Sequence, residues 1–152
     1  MNNNDVLRRI RYIFDLSDSA MIAVFGLGDC EVTREQVSDW LKKEEDPAFK
    51  EIGDSLLAGF LNGLIVDKRG KKEGIQPAPE KRLNNNLIFL KLKIALNLQA
   101  DDVYAIMESA DFSLSKHEIS AFFRKTDHKN FRICKDQVLR NFLKGLELKY
   151  RA

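Results

Sequence analysis

The chain has 152 residues, of which 44% are hydrophobic and 32% charged, with a formal net charge of only +2; this balance is typical of a globular protein rather than a disordered one. No stretch approaches the ~18 consecutive apolar residues of a membrane span, and the start lacks the basic and apolar regions of a signal peptide. We therefore predict a cytoplasmic protein without a membrane partner, in which Cys30 and Cys134 are free thiols.

The two halves of the chain match each other without a gap when the sequence is shifted by 82 positions, so that Asn3 falls on Asn85. Residues related by this shift are called repeat mates below. The match predicts one structural unit built twice, a first repeat over residues 1–70 and a second over 85–152, joined by a linker at 71–84. Because a unit of this size has a marginal core on its own, we expect the two repeats to pack on each other.

Hydrophobic residues at helical spacing predict four helices in each repeat, and therefore an all-α fold of two tandem four-helix units. The first helix is expected over residues 4–15, and its counterpart over 86–97, each preceded by asparagines that suit an N-cap. The second helix is expected to begin with Ser19 as its N-cap, and its counterpart with Asp101.

The third helix has the clearest predicted start, because Thr33–Gln36 and Ser115–Glu118 both have the sequence of a capping box. The fourth helix is expected to begin with Asp54 or Asp136 as its N-cap. These paired signals indicate that both repeats have the same helix order.

Gly63 and its repeat mate Gly145 lie in the middle of the fourth helix, where a glycine costs about 1 kcal/mol relative to alanine. Their duplication predicts close helix packing at this point. Between the repeats, Gly70–Glu80 has the composition of a linker and is expected to form an exposed, mobile connection.

The repeats differ in charge. Residues 2–69 carry nine basic and thirteen acidic residues, a net charge of −4, whereas residues 85–152 carry twelve basic and eight acidic residues, a net charge of +4. Opposite charge can help the repeats to dock on each other, and a basic repeat can also contact an anionic partner.

The segment before the fourth helix differs most between the repeats, being acidic in the first and basic in the second. Asp127, His128 and Cys134 allow three interpretations: a thiol nucleophile with its base, part of a metal site, or a loop whose polar side chains cap neighbouring helix ends. The spacing matches no common metal motif, and no third catalytic group can be assigned. Capping is the favoured interpretation of Asp127, His128 and Asn130.

A fourth interpretation of the same segment is anion binding, because several cations lie close to the start of a helix, whose free amides favour negative charge. The predicted binding residues combine these cations with the polar residues of the loop: Arg124, Lys125, Asp127, His128, Lys129, Asn130, Arg132 and Arg140.

Two further features are weaker signals. Ile22–Leu41 has some helix-turn-helix character, but its glycine-containing connection is longer than the three- or four-residue turn of DNA-binding proteins, and its last helix is acidic. The equivalent helix of the second repeat, with Lys116 and Arg124, is the better candidate. The asparagine runs Asn2–Asn4 and Asn84–Asn86 exceed what one N-cap needs, and capping or turn formation is favoured over a binding site.

Several segments together resemble the YehS-like family, a bacterial family defined as a domain of unknown function that occurs in duplicate. The resemblance covers nearly the whole chain and rests on these segments: Asn3–Tyr12, Phe60–Ile65 with Lys68–Gly70, and Asp127–Arg132 with Asp136–Gln137 and Gly145–Leu146. It implies a small cytoplasmic bacterial protein of two tandem helical units, and it implies no activity, substrate or catalytic residue.

We therefore predict a binding protein rather than an enzyme, with no cofactor and no metal, that contacts nucleic acid or another phosphate-rich partner through its basic second repeat. The alternative is a protein-interaction or assembly module that forms a homo-oligomer through a groove between the repeats. A third hypothesis, an enzyme using His128 and Cys134, requires a reactive thiol.

Overall fold

The computed structural model describes residues 1–74 and 76–151, and within these residues the chain forms eight α-helices and no strand. The predicted all-α fold, with four helices in each repeat, is confirmed. The helices of the first repeat are α1 (Asn3–Ile13), α2 (Asp18–Leu27), α3 (Arg34–Leu41) and α4 (Asp54–Arg69). Those of the second are α5 (Asn85–Ala95), α6 (Ala100–Ser109), α7 (Lys116–Ala121) and α8 (Asp136–Tyr150).

The predicted capping boxes are present at α3 and α7, but the predicted starts of α2 and α6 are wrong by two residues. The N-cap of α2 is Ser17 rather than Ser19, because the Ser17 hydroxyl accepts the Ala20 amide. Gln99 rather than Asp101 is the N-cap of α6, and the backbone N–H of Gln99 donates a hydrogen bond to the Asp102 carboxylate.

The first helices end two residues earlier than predicted, at Ile13 and Ala95. Asp15 and its repeat mate Asn97 have positive φ angles of 51° and 53°, a left-handed conformation that cannot continue a helix. The N-caps of α4 and α8 are Gly53 and Lys135 rather than the aspartates that follow them.

Helices α1, α4, α5 and α8 form the centre of the molecule and run in the same general direction. At their starts, Asn3 donates to the Asp54 carboxylate and Asn85 to that of Asp136. At their ends, Arg69 reaches the Ile94 carbonyl of the other repeat. The helix pairs α2–α3 and α6–α7 pack on the outside of this centre.

The two repeats are related by a pseudo-twofold axis, because they exchange equivalent contacts. Helix α4 packs on α5, and its counterpart α8 packs on α1. The Asp54 carboxylate accepts a hydrogen bond from the backbone N–H of Leu83. The Asp136 carboxylate accepts one from the amino group of Met1, the repeat mate of Leu83. These hydrogen bonds and those from the asparagines lower the pKa of both carboxyls. The expected packing of the repeats on each other is therefore present.

The duplicated glycines mark the closest helix crossing in each repeat, as the sequence predicts. A Cβ atom on Gly63 would lie 1.9 Å from the Val24 carbonyl oxygen of α2. On Gly145 it would lie 2.3 Å from the equivalent oxygen of Ile106 in α6. Backbone can approach backbone this closely only where no side chain intervenes.

The predicted linker lies partly against the helices. Its Gly70–Gly74 part is exposed, whereas Gln76, Pro79 and Glu80 are half-buried. Residue 75 of the predicted linker is outside the described residues. Among residues 1–74 and 76–151, no helix combines the length and the apolar character that crossing a membrane requires.

Candidate functional site

The loop between α7 and α8 contains most of the predicted binding residues, and His128 holds its turn. The Nδ1 atom of His128 accepts a hydrogen bond of 3.0 Å from the backbone N–H of Asn130, and the Nε2 atom of His128 lies 3.5 Å from Arg124 Nη1. In the first repeat Asp46, the repeat mate of His128, accepts the Ala48 amide in the same way. His128 therefore forms a local turn rather than capping a helix end.

The cations of this loop differ in whether they form ion pairs with acidic side chains. Arg132 pairs with the Glu118 carboxylate at 3.0 Å, and hydrogen bonds from Ser115 and then Arg132 lower the pKa of that carboxyl. Lys125 and Lys129 are exposed, and neither forms an ion pair within the described part of the chain. The two lysines, like the exposed Lys135 at the end of the loop, which is equally unpaired among the described residues, are therefore more available to a partner than Arg132.

The other predicted residues of the loop lie beside these lysines. Asp127 and Asn130 are exposed, and Arg124 is half-buried. Lys129, Asn130 and Arg132 line an open depression of about 250 Å³ next to His117. The structure thus brings together seven of the eight predicted residues in one loop.

Arg140, the eighth predicted residue, lies elsewhere. It lines a separate cavity of about 230 Å³ between α8 and α1, together with Met1, Asp5, Arg8 and Arg9. Arg8 donates to the Asp5 carboxylate and to the Lys42 carbonyl. Arg9 and Arg140 form no ion pair among residues 1–74 and 76–151.

Arg8 and Arg9 are not among the binding residues predicted from the sequence, because the first repeat as a whole is acidic. A pattern in the sequence could have indicated them: α1 has two adjacent arginines in the turn after Asp5. The repeat mates of these arginines in α5 are Leu90 and Lys91. A second group of basic side chains, Arg8, Arg9 and Arg140, therefore lies where α1 of the first repeat meets α8.

The two grooves between the repeats occupy equivalent positions but have opposite character. The α4–α5 groove contains a cavity of about 350 Å³ with the apolar side chains Ile65, Leu90 and Ile94 in its wall. Their repeat mates on α8 and α1 are Glu147, Arg8 and Tyr12. One groove is thus largely apolar, whereas the other is charged.

A third cavity, of about 650 Å³, lies on the pseudo-twofold axis at the ends of the four central helices. All of its lining residues occur as repeat-mate pairs: Ile13 and Ala95, Phe14 and Leu96, Asp15 and Asn97, Lys68 and Tyr150, Arg69 and Arg151. This complete pairing shows that the cavity follows from the duplication itself.

The asparagine runs have structural roles, as the favoured interpretation predicts. Asn2 and Asn84 are the N-caps of α1 and α5. Asn4 is 1% exposed; its side chain donates to the Trp40 and Lys50 carbonyls and accepts the Ile52 amide. Asn86 makes the equivalent three hydrogen bonds in the second repeat.

Cys134 is buried in the core, where its repeat mate is Ile52. Burial first, and then the Asp136 charge, raises the pKa of its thiol to about 12. A thiol with so high a pKa is not a reactive nucleophile. Both cysteines are free, as predicted. In the described part of the chain no cluster of His, Cys, Asp or Glu side chains could hold a metal ion.

Comparison with known proteins agrees with this duplicated architecture. The family described as "Protein of unknown function (DUF1456)" matches residues 3–70 and, a second time, residues 85–152. The "Uncharacterized protein YehS" of Escherichia coli (strain K12) is 47% identical over 148 residues, which cover 96% of this chain and 94% of that protein. No solved structure matches the chain. The chain therefore belongs to this family of proteins of unknown function and contains the family's helical unit twice.

Proposed function

We propose that this chain is a non-catalytic binding protein that contacts a phosphate-rich partner, with nucleic acid as the first candidate, through the basic surface of its second repeat. The observation that carries the proposal is the exposure of Lys125 and Lys129 without an ion-pair partner among the described residues. A surface cation that is paired with a carboxylate has its charge neutralised by that carboxylate. An unpaired cation can instead bind a phosphate, and the phosphate's counterions are then released.

A second basic area extends this surface across the repeat boundary. Arg9 and Arg140 line the cavity between α1 and α8, and the guanidinium groups of both could contact a phosphate in the bidentate way that arginine favours. Together with the loop, this area offers an extended partner two separated points of contact. Such an arrangement favours a polymer over a single phosphate group.

The experiment is a fluorescence anisotropy titration of labelled single-stranded DNA, duplex DNA and RNA at about 50 and 200 mM salt. The proposal predicts that affinity falls steeply with salt. K125E and K129E are each expected to weaken binding several-fold and to reduce the salt slope by about 1 for every phosphate that the variant no longer neutralises. Arg140→Glu is expected to act in the same direction.

The chain offers a matched control in Lys43, the exposed repeat mate of Lys125. Lys43→Glu makes the same charge change in the same local structure, and it is expected to leave binding nearly unchanged. Equal losses of affinity for K43E and K125E would show that only net charge matters. Failure to bind DNA, RNA and inorganic polyphosphate at low salt would reject the proposal.

A further inference from the structure

The apolar α4–α5 groove contains a cluster of three polar side chains at the point where the linker crosses it. Lys91 Nζ donates to Asn62 Oδ1 at 2.6 Å and pairs with Glu80 Oε1 at 3.0 Å. The Lys91 side chain is only 11% exposed, so its charge is largely removed from water. A cation in this position requires anionic partners.

Two polar atoms of this cluster are buried without a hydrogen-bond partner among the described residues: the donor Asn62 Nδ2 and the acceptor Glu80 Oε1. An ammonium group has no acceptor, so the oxygen of the Asn62 amide must face Lys91 and its nitrogen must point away. Asn62 Nδ2 is buried and has no hydrogen-bond partner among residues 1–74 and 76–151. Buried polar atoms without a partner are rare in proteins, and the Glu80 carboxylate, although it lies 3.0 Å from Lys91 Nζ, accepts no hydrogen bond from Asn62 Nδ2.

Glu80, the anion that Lys91 now contacts, belongs to the linker and not to either repeat. The repeat-mate position of Lys91 is Arg9, which forms no ion pair among residues 1–74 and 76–151. The buried cation with an internal carboxylate is therefore a feature of this groove alone, and it does not follow from the duplication.

The cavity beside this cluster has the size and lining of a small-molecule site. Its volume of about 350 Å³ lies within the range of ligand pockets, and such pockets combine apolar walls with a few polar groups that orient the ligand. Ile65, Leu90 and Ile94 are among the apolar residues of its lining, and Lys91 and Asn62 are among the polar ones, which also include Asp29, Arg69, Lys72, Gln76 and Glu80. This polarity matches a molecule with one anionic group and an apolar tail.

We propose that the α4–α5 groove binds a small amphipathic carboxylate. Its carboxylate replaces that of Glu80 beside Lys91 and, unlike that of Glu80, lies close enough to Asn62 to accept a hydrogen bond from Nδ2. Its tail lies along Ile65 and Ile94. Glu80 is the internal competitor, so ligand binding displaces the linker from the groove. This site is independent of the basic surface and can exist whether or not that surface binds nucleic acid.

The test is calorimetric titration of the full chain with octanoate, and with 1-octanol as the uncharged probe of equal tail length. The proposal predicts that octanoate binds, that octanol binds at least ten-fold more weakly, and that Glu80→Gln tightens octanoate binding several-fold by removing the competitor. Lys91→Gln is expected to abolish binding. Its matched control is Arg9→Gln at the repeat-mate position, which is expected to leave binding unchanged.

Ile94→Asp provides a second variant in case Lys91→Gln impairs folding, since Ile94 is 39% exposed and the new carboxylate would repel that of the ligand. Octanoate binding that survives Lys91→Gln or Ile94→Asp in folded protein would overturn the proposal. The same holds if neither wild type nor E80Q binds octanoate, or if octanol binds equally well. Self-association through this groove, detected as a dimer that octanoate does not dissociate, would also overturn it.

Discussion

At the scale of single residues, the duplication acts as an internal control that separates folding roles from candidate functional ones. Asn4 and Asn86 make the same three hydrogen bonds to backbone groups of their own repeats, and this identity marks them as structural. His128 and Asp46 differ in chemistry but hold the same turn. Of the two loop lysines, Lys125 has a lysine, Lys43, as its repeat mate, whereas the repeat mate of Lys129 is Pro47. Lys129 is therefore the loop cation that the duplication does not explain.

Replacing the buried Asn4 or its half-buried repeat mate Asn86 is expected to destabilise the whole protein. In Asn4→Ala or Asn86→Ala, two carbonyls and one amide lose their partner, and we expect the free energy of unfolding to fall by about 3 kcal/mol in each variant. Urea denaturation followed by circular dichroism measures this. The control is Asn130→Ala, which restores the residue present at its repeat mate Ala48 and is expected to change stability by less than about 0.5 kcal/mol. A similar loss of stability for all three variants would contradict the assignment.

At the scale of secondary structure elements, the crossing of α4 on α2, and of α8 on α6, depends on a glycine in the longer helix. Alanine at Gly63 or Gly145 gains helix propensity worth about 1 kcal/mol, but its Cβ atom would collide with a carbonyl oxygen. The backbone of the outer helix would have to move. Because a shift of packed backbone costs more than the propensity gained, the steric effect decides the sign.

We therefore expect Gly63→Ala and Gly145→Ala to destabilise the protein by about 1–3 kcal/mol, measured by thermal unfolding. Gly26 is the matched control, because it lies inside α2 and a Cβ atom there meets nothing within 4 Å. Gly26→Ala should instead stabilise the protein by up to about 1 kcal/mol. If Gly63→Ala raised the melting temperature as Gly26→Ala does, the close crossing would be refuted.

Helix number, helix order and the glycine crossings could be predicted from two patterns visible in the sequence itself. These are the spacing of hydrophobic residues within each helix and the match between the two halves of the chain. The starts of α2 and α6 could not, because Ser17 and Ser19 are both acceptable N-caps and the choice depends on the left-handed residue at Asp15. The separation of Arg140 from the loop also escaped prediction. It depends on the packing of α8 against α1, which no local pattern encodes.

At the scale of the whole molecule, the equivalent contacts of α4 with α5 and of α8 with α1 join the two repeats. The buried hydrophobic residues of both repeats form one continuous core. A single core implies that the repeats unfold together rather than as independent units. The linker therefore connects two parts of one cooperative unit.

Trp40, the single tryptophan, tests this because it lies in the first repeat. Leu139→Ala, at a fully buried position of the second repeat, is expected to lower the free energy of unfolding by about 2–5 kcal/mol. In a cooperative molecule, tryptophan fluorescence and circular dichroism report the same shifted midpoint. Leu57, the repeat mate of Leu139, provides the control, since in Leu57→Ala the fluorescence and circular dichroism midpoints should also coincide. A fluorescence midpoint that Leu139→Ala does not move would show that the repeats unfold separately.

The central functional claim is that the loop 124–132 of the second repeat, together with Arg140 and Arg9, forms the binding surface. NMR chemical-shift mapping, in which a short DNA or RNA is titrated into isotope-labelled protein, tests it most directly. The predicted result is that amide signals of residues 124–132, together with those of Arg9 and Arg140, shift on titration, while the repeat-mate segment 42–50 does not. Equal shifts in both segments, or shifts confined to the first repeat, would contradict the account.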